Sequence, residues 1–195
     1  MTMKRDECLR ALARHLNEDA IVVPVYTTAC DWIGIRPNAL NYTAHGAMGL
    51  ASSHALGLAL GRPDRKVIIL DGDGSLLMNL GSLVSISEVA PPNLIHMVFE
   101  NGSYEANGGH PIPNQGNVDF AGFARSAGYR KVYEINKLGD FKSRISEILS
   151  VQGPVFADLK IVPGEKLPQN YGALLAKEGR EAFRQALAGL DINQG

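Results

Sequence analysis

Four short apolar runs, "IVVPVY" (21–26), "KVIIL" (66–70), "NLIHMVFEN" (93–101) and "GPVFADLKI" (153–161), recur along the chain with helix-length segments between them. Runs of this length and β-branched content read as strands buried on both faces. "YRKVYEI" (129–135) adds a further strand. Residues 4–17 repeat Cys8, Leu9, Leu12, Ala13 and Leu16 at helical spacing, and residues 46–61, 118–128, 137–150 and 171–188 have helical patterns of their own. Residues 76–90 form one helix, or two meeting near Gly81, ended by Pro91-Pro92. Strands joined by helices require a mostly parallel sheet, and right-handed crossovers place helices on both of its faces. The expected fold is therefore α/β and doubly wound, one domain over residues 1–195. Ligands of such sheets lie beyond the carboxyl ends of the strands. Loops leave those ends at Thr27, Asp71 and Asn101, and all three open on one edge.

Composition narrows the function classes. The 195 residues are 45% hydrophobic with a formal net charge of -1. That supports a real core and argues against a nucleic-acid partner held by bulk charge. No run of about 18 apolar residues indicates a membrane span. The start "MTMKRDECLRALARHL" has no apolar signal-peptide core. Cys8 and Cys30 are too few and too isolated for a disulfide framework or a zinc site. A cytoplasmic location is the expectation, with neither nucleic acid nor membrane as partner.

The chemistry concentrates in "IILDGDGSLLMN" (68–79), where a strand stops at two aspartates interleaved with two glycines. A calcium loop starting at Asp71 needs glycine at its sixth position and a bidentate glutamate at its twelfth; this chain has Leu76 and Ser82 there. A phosphate cradle fits better. Gly72 and Gly74 admit a ligand close to the backbone, at the start of a helix. Asp73 would repel a phosphate unless a divalent cation lay between them. Mg²⁺ takes a few protein oxygens together with phosphate oxygens and water. Asn101, 28 positions on and at the end of the next strand, offers a neutral second oxygen. A tight turn at 71–74 and an ordinary Asn-Gly turn at 101–102 are the alternative.

"GDGSLLMNLGSLVSISEVAPPNLIHMVFENGSYE" resembles the motif of the thiamine diphosphate-dependent enzymes, and the resemblance extends over roughly residues 20–165. It implies that Asp73 and Asn101 bind Mg²⁺ by side chain and Ser103 by its backbone carbonyl. It implies that Gly72, Gly74 and Ser75 hold the diphosphate, and that Tyr104, next in the motif, belongs to the cofactor site. The first Asn of the family's Asn-Asn pair is Glu100 here. "HGAMGLASSHALGLALG" (45–61) resembles the segment that holds the aminopyrimidine, with the Gly46 carbonyl and the Met48 N–H on the ring and the Met48 side chain beneath the bent cofactor. "YTTACDW" resembles the family's first strand–loop, where Thr28 reaches the diphosphate.

Within the family, "GAMGLASSHALGLALG" and "ENGSYEANGGHP" are most similar to sulfopyruvate decarboxylase beta subunits and phosphonopyruvate decarboxylases. That implies decarboxylation of a small 2-oxo acid with an anionic tail. An acetolactate synthase-like carboligase subunit and a non-catalytic cofactor-binding module are the alternatives. The glutamate that activates the cofactor belongs to a pyrimidine-binding domain, and 195 residues leave no room for one. A partner subunit is therefore expected to supply it. Self-association of the chain is expected as well. The small-residue segment 46–60 is the candidate for close approach to the partner.

His110 and Glu105, in the Gly- and Pro-rich stretch 102–117, are the candidate acid–base groups. His45 adjoins the pyrimidine segment. His54 and His96 read as structural, Arg36 and Arg125 as solvated surface, and Asp71 as a cap at the strand end.

Overall fold

The computed structural model describes residues 3–43, 48–162, 172, 174 and 176–189. Met3–Lys4 forms a short strand, β1, that the sequence does not predict; the apolar runs form the predicted strands β2 (Ile21–Pro24), β3 (Val67–Gly72), β4 (Leu94–Glu100), β7 (Lys131–Ile135) and β8 (Val155–Val162). They make one six-stranded sheet in the order β2–β3–β4–β8. On the far side of β8, β7 pairs with Val155–Leu159 and β1 with Ile161–Val162, and every pairing is parallel.

Alternation along each strand sorts its side chains to two faces. On β4, Ile95, Met97 and Phe99 enter one core, whereas Leu94 and Val98 enter the other. Helices α1 (Arg5–Ala13), α2 (Tyr26–Ile35) and α7 (Leu138–Ser150) cover the first face through Leu9, Leu12, Trp32, Phe141 and Ile145. Helices α3 (Ala51–Gly61), α5 (Gly81–Val89), α6 (Phe120–Ala127) and α8 (Lys177–Gly189) cover the second through Ala55, Ala59, Ile86, Phe120 and Phe183. The doubly wound architecture is thus the observed one. Part of the small-residue character of α3 is explained by its own sheet, since Ala51, Ser52, Ala55 and Ala59 are the buried positions.

Several local expectations change. Of the two alternatives over 76–90, two helices meeting near Gly81 are observed, α4 (Asp73–Leu77) and α5; the change is that the first starts three residues earlier than its apolar run. Tyr26 does not end a strand but begins α2, with φ of 41°. The stretch 102–117 holds a small antiparallel hairpin, β5 (Ser103–Tyr104) with β6 (His110–Pro111). The hairpin escapes a periodicity reading because each strand has two residues.

Arg36 is buried, not solvated: its guanidinium donates to the carbonyls of Leu16 and Asn17 and to Glu18. His54 is exposed on α3 with its ring against Tyr42, whereas His96 is fully buried. Arg125 is an exposed partner of Asp119.

Cys8 faces the core of α1, and burial, with smaller contributions from Glu7 and Asp6, pushes its thiol up to about 12. In a Cys30→Ser variant, a thiol reagent at pH 8 should therefore leave the folded chain unlabelled and modify one site on unfolding. Rapid labelling of folded Cys30→Ser would place Cys8 at the surface.

Candidate active site

The carboxyl ends of β1, β2, β3 and β4 deliver Arg5, Tyr26–Thr28, Asp73 and Asn101 to one cleft, which encloses about 430 Å³ of empty space, part of it open to solvent. The two aspartates of "IILDGDGSLLMN" do not share a turn. Asp71 is the penultimate residue of β3, and Asp73 is the first of α4.

Asp71 faces inward. Its Oδ1 accepts from the Gly72 N–H (2.9 Å), and its Oδ2 lies 3.2 Å from Nε2 of the buried His96. The other ring nitrogen lies 3.3 Å from the Tyr129 hydroxyl. The strand-end cap is therefore one end of a buried polar chain across β3 and β4.

Asp73 has 1% of its surface exposed, and it collects backbone donors from two strand ends. Oδ1 accepts from the Gly74 N–H (2.8 Å), and Oδ2 from the N–H groups of Asn101 (3.0 Å) and Gly102 (2.6 Å). Burial, opposed by these three donors, pushes its carboxyl up to about 6. A cation at this edge would offset the remaining cost of burial.

The glycines differ in what they allow. A Cβ on Gly72 would meet nothing within 4 Å, whereas one on Gly74 would lie 2.5 Å from Cδ1 of Tyr104. Gly72 therefore opens the cleft, and Gly74 lets the Tyr104 ring close down on the α4 backbone. Ser75 Oγ accepts from the Gly49 N–H (3.2 Å) and the Asn79 amide donates to the Gly49 carbonyl (3.1 Å), which anchors the turn after Met48 beside α4. Met48 lines the cleft. Gly46 and His45 lie outside the described residues.

Asn101 is tied at both ends of its amide. Oδ1 accepts from the Ser103 N–H (2.8 Å) and hydroxyl (3.0 Å), and Nδ2 donates to Glu105 (3.1 Å). Glu105 lines the cleft with both oxygens taken by Arg5. His110 is exposed on β6 and does not line the cleft.

Thr28, expected from the sequence at the diphosphate, lines the cleft. So does Thr27, whose buried hydroxyl has no hydrogen-bond partner among the described residues. Thr27, Asn79 and Arg5 are not among the residues the sequence singles out. Thr27 was legible as a second hydroxyl at the same strand end; Arg5 carried no signal, being 100 positions from Glu105.

Glu100, at the first position of the Asn pair, is accounted for across the sheet. It pairs in register with Lys160, whose ammonium lies 2.5 Å from Glu100 and 2.9 Å from the fully buried Asp158. Burial holds Asp158 up at about 7, with Lys160 opposing and Glu100 adding to the rise. The folded-state value is above the ordinary 3.8, so this contribution to stability is present at low pH and lost as pH rises through about 7. Lys160→Ala removes the counter-charge. It should cost about 3 kcal/mol at pH 8, and less at pH 6, where Asp158 holds its proton, as read by chemical denaturation. An equal loss at both pH values would show that Lys160 does not bear on Asp158.

Residues 25–159 match the family model described as thiamine pyrophosphate enzyme, C-terminal TPP binding domain. The chain is 41% identical over 119 residues to the phosphonopyruvate decarboxylase of Streptomyces viridochromogenes, covering 61% of this chain and 30% of that one. It is 32% identical over 164 residues to the sulfopyruvate decarboxylase subunit beta of Methanothermobacter thermautotrophicus, covering 84% of this chain and 85% of that subunit. The chain thus spans under a third of the first relative and most of the second. The thiamine diphosphate-dependent 4-hydroxybenzoylformate decarboxylase of Rhodococcus jostii RHA1 superposes with a TM-score of 0.67 at 21% identity, over 84% of this chain and 33% of that one, and shows the same fold.

Proposed function

The chain belongs to the thiamine pyrophosphate enzymes through their C-terminal cofactor-binding domain, and from that premise we propose that it is the beta-type subunit of a thiamine diphosphate- and Mg²⁺-dependent 2-oxo acid decarboxylase. It works with a separate pyrimidine-binding subunit that supplies the activating glutamate. The observation that carries the reading is the buried Asp73 carboxylate, joined to the Asn101 backbone at the floor of a cleft that Gly72 leaves open.

The donor set suits the cofactor. Asp73 and Asn101 side chains and the Ser103 carbonyl are hard oxygen donors of the kind Mg²⁺ takes alongside diphosphate oxygens. The Thr27 hydroxyl, without a partner among the described residues, and that of Thr28 would donate to the diphosphate, with Ser75 and the backbone of Gly72 and Gly74 beneath it. Tyr104 would border it from the Gly74 side. Gly46 and Met48 would hold the aminopyrimidine. Thiamine diphosphate, when bound, supplies an electron sink for the loss of CO₂ from a 2-oxo acid. Of the two acid–base candidates, Glu105 is engaged by Arg5 and Asn101, which fits a positioning role. The exposed His110 is the candidate to carry a proton from solvent.

The extent of the match to a subunit named beta supports a two-subunit enzyme. The outer faces of α3 and α5 suit a protein surface against them: Ser53, Gly57, Leu60, Gly81, Val84 and Ser85 are exposed there, and Glu88 is the one Asp, Glu, Lys or Arg on either helix. No helix among the described residues is long and apolar enough to cross a membrane.

Mixing the chain with a pyrimidine-binding subunit, Mg²⁺ and thiamine diphosphate should release CO₂ and aldehyde from a member of a 2-oxo acid panel that includes sulfopyruvate and phosphonopyruvate. Acetolactate-type products would indicate a carboligase instead, and cofactor binding without turnover a binding module. Asp73→Ala should abolish metal-dependent cofactor binding by calorimetry. Undiminished binding in that variant would remove Asp73 from the metal site.

A further inference from the structure

Arg5 is a buried cation that the family match does not reach, since the matched segment begins at residue 25. It follows β1 directly and is 3% exposed. Nε donates to Asp31 on α2 at 2.7 Å. Nη1 and Nη2 donate to the two oxygens of Glu105 at 2.5 and 3.2 Å. Burial alone would lower the guanidinium's pKa, but Glu105 and Asp31 outweigh it, so Arg5 stays charged. One guanidinium thus joins the N-terminal segment, the helix that carries Thr27 and Thr28, and the loop after β4.

Beyond Glu105 the chain of contacts reaches the metal-site amide. The Oε2 atom held by Arg5 also accepts from Asn101 Nδ2 at 3.1 Å. An amide has two unlike ends, and a half-turn exchanges them. An ionised carboxylate only accepts, so Glu105 selects the NH₂ end. The Ser103 N–H only donates, so it selects the oxygen end. Together they fix the amide in one of its two orientations. Only the oxygen end binds a cation; a flipped amide would present N–H groups to it. Arg5 also neutralises Glu105, a carboxylate otherwise left to compete with Asn101 for the same ion.

We propose that Arg5 is a positioning residue for the cation site: it holds Glu105, and Glu105 holds the Asn101 amide with its oxygen oriented for Mg²⁺. This rests on the assignment of Asp73 and Asn101 as cation ligands. It makes the site depend on the docking of residues 3–5 at the sheet edge, a segment distant in sequence from both ligands.

The test uses the full chain and the variants Glu105→Ala, Glu105→Gln and Arg5→Lys, with folding checked by thermal melting. Glu18→Gln, which removes the charge of the exposed Glu18 beside Arg36, far from the Arg5 contacts, is the control. The first readout needs no metal. The Asn101 side-chain amide pair in a ¹⁵N–¹H spectrum, identified by its loss in Asn101→Asp, should shift in Glu105→Ala. It should shift less in Glu105→Gln, which retains an acceptor, and not at all in the control. The second readout is Mn²⁺ affinity by EPR with thiamine diphosphate present. It should fall about 10–100-fold in Glu105→Ala, as for partners that orient metal ligands, and by a smaller factor in Arg5→Lys, which keeps the charge without the fork. An unmoved Asn101 resonance in folded Glu105→Ala or Glu105→Gln overturns the proposal. So does a Mn²⁺ affinity within about twofold of the unsubstituted chain, well short of the effect expected of such partners. Failure of the unsubstituted chain to bind Mn²⁺ would overturn the cation assignment itself, while the amide resonance would still decide whether Glu105 orients Asn101.

Discussion

The Asp73 carboxylate is the joint on which the site is built. It is the first residue after β3, and its Oδ2 takes the N–H groups of the two residues that follow β4. Two adjacent parallel strands are thereby tied together at the point where their ladder ends. The same atoms bring the Asn101 side chain and the Ser103 backbone into the cleft. Burying a carboxylate carries a desolvation cost that three N–H donors offset only in part, since the group still titrates at about 6. A divalent cation held there, as proposed, would offset the remainder.

Around that joint the sheet supplies rigidity. Ile95, Met97 and Phe99 pack one way and Leu94 and Val98 the other, so β4 is fixed on both faces up to two residues before Asn101. The Asp71–His96–Tyr129 chain crosses the sheet just beneath the site. The Glu100–Lys160–Asp158 cluster does the same toward β8. The position where the family has another asparagine is thus occupied by a charge whose partner lies across the ladder.

Much of this was legible in the sequence because strand-forming runs and turn chemistry are local. The buried runs located every long strand, and Asp73 with Asn101 followed from two strand ends and a charge that needed a counter-ion. What escaped was set by tertiary contact. Arg36 looks like any surface arginine until the carbonyls of Leu16 and Asn17 are seen to close over it. The hairpin of Ser103–Tyr104 with His110–Pro111 is too short to have a period. Arg5 sits in a charged, amphipathic N-terminal helix whose pattern accounts for it fully, and only the fold brings it to Glu105. Thr27 and Thr28 are equivalent in sequence, and the unpartnered hydroxyl distinguishes them only once the cleft is formed.

In the proposed site, Asp73 and Asn101 hold a divalent cation against a diphosphate. A crystal structure of the chain grown with thiamine diphosphate and Mn²⁺, with anomalous data, tests it most directly. One anomalous peak is expected in the cleft, at coordination distance (about 2.1 Å for the Mg²⁺ that Mn²⁺ replaces) from an Asp73 carboxylate oxygen, the Asn101 side-chain oxygen and the Ser103 carbonyl, with diphosphate oxygens completing the shell. A diphosphate bound without metal at these residues, or an anomalous peak elsewhere with the cleft empty, would contradict it.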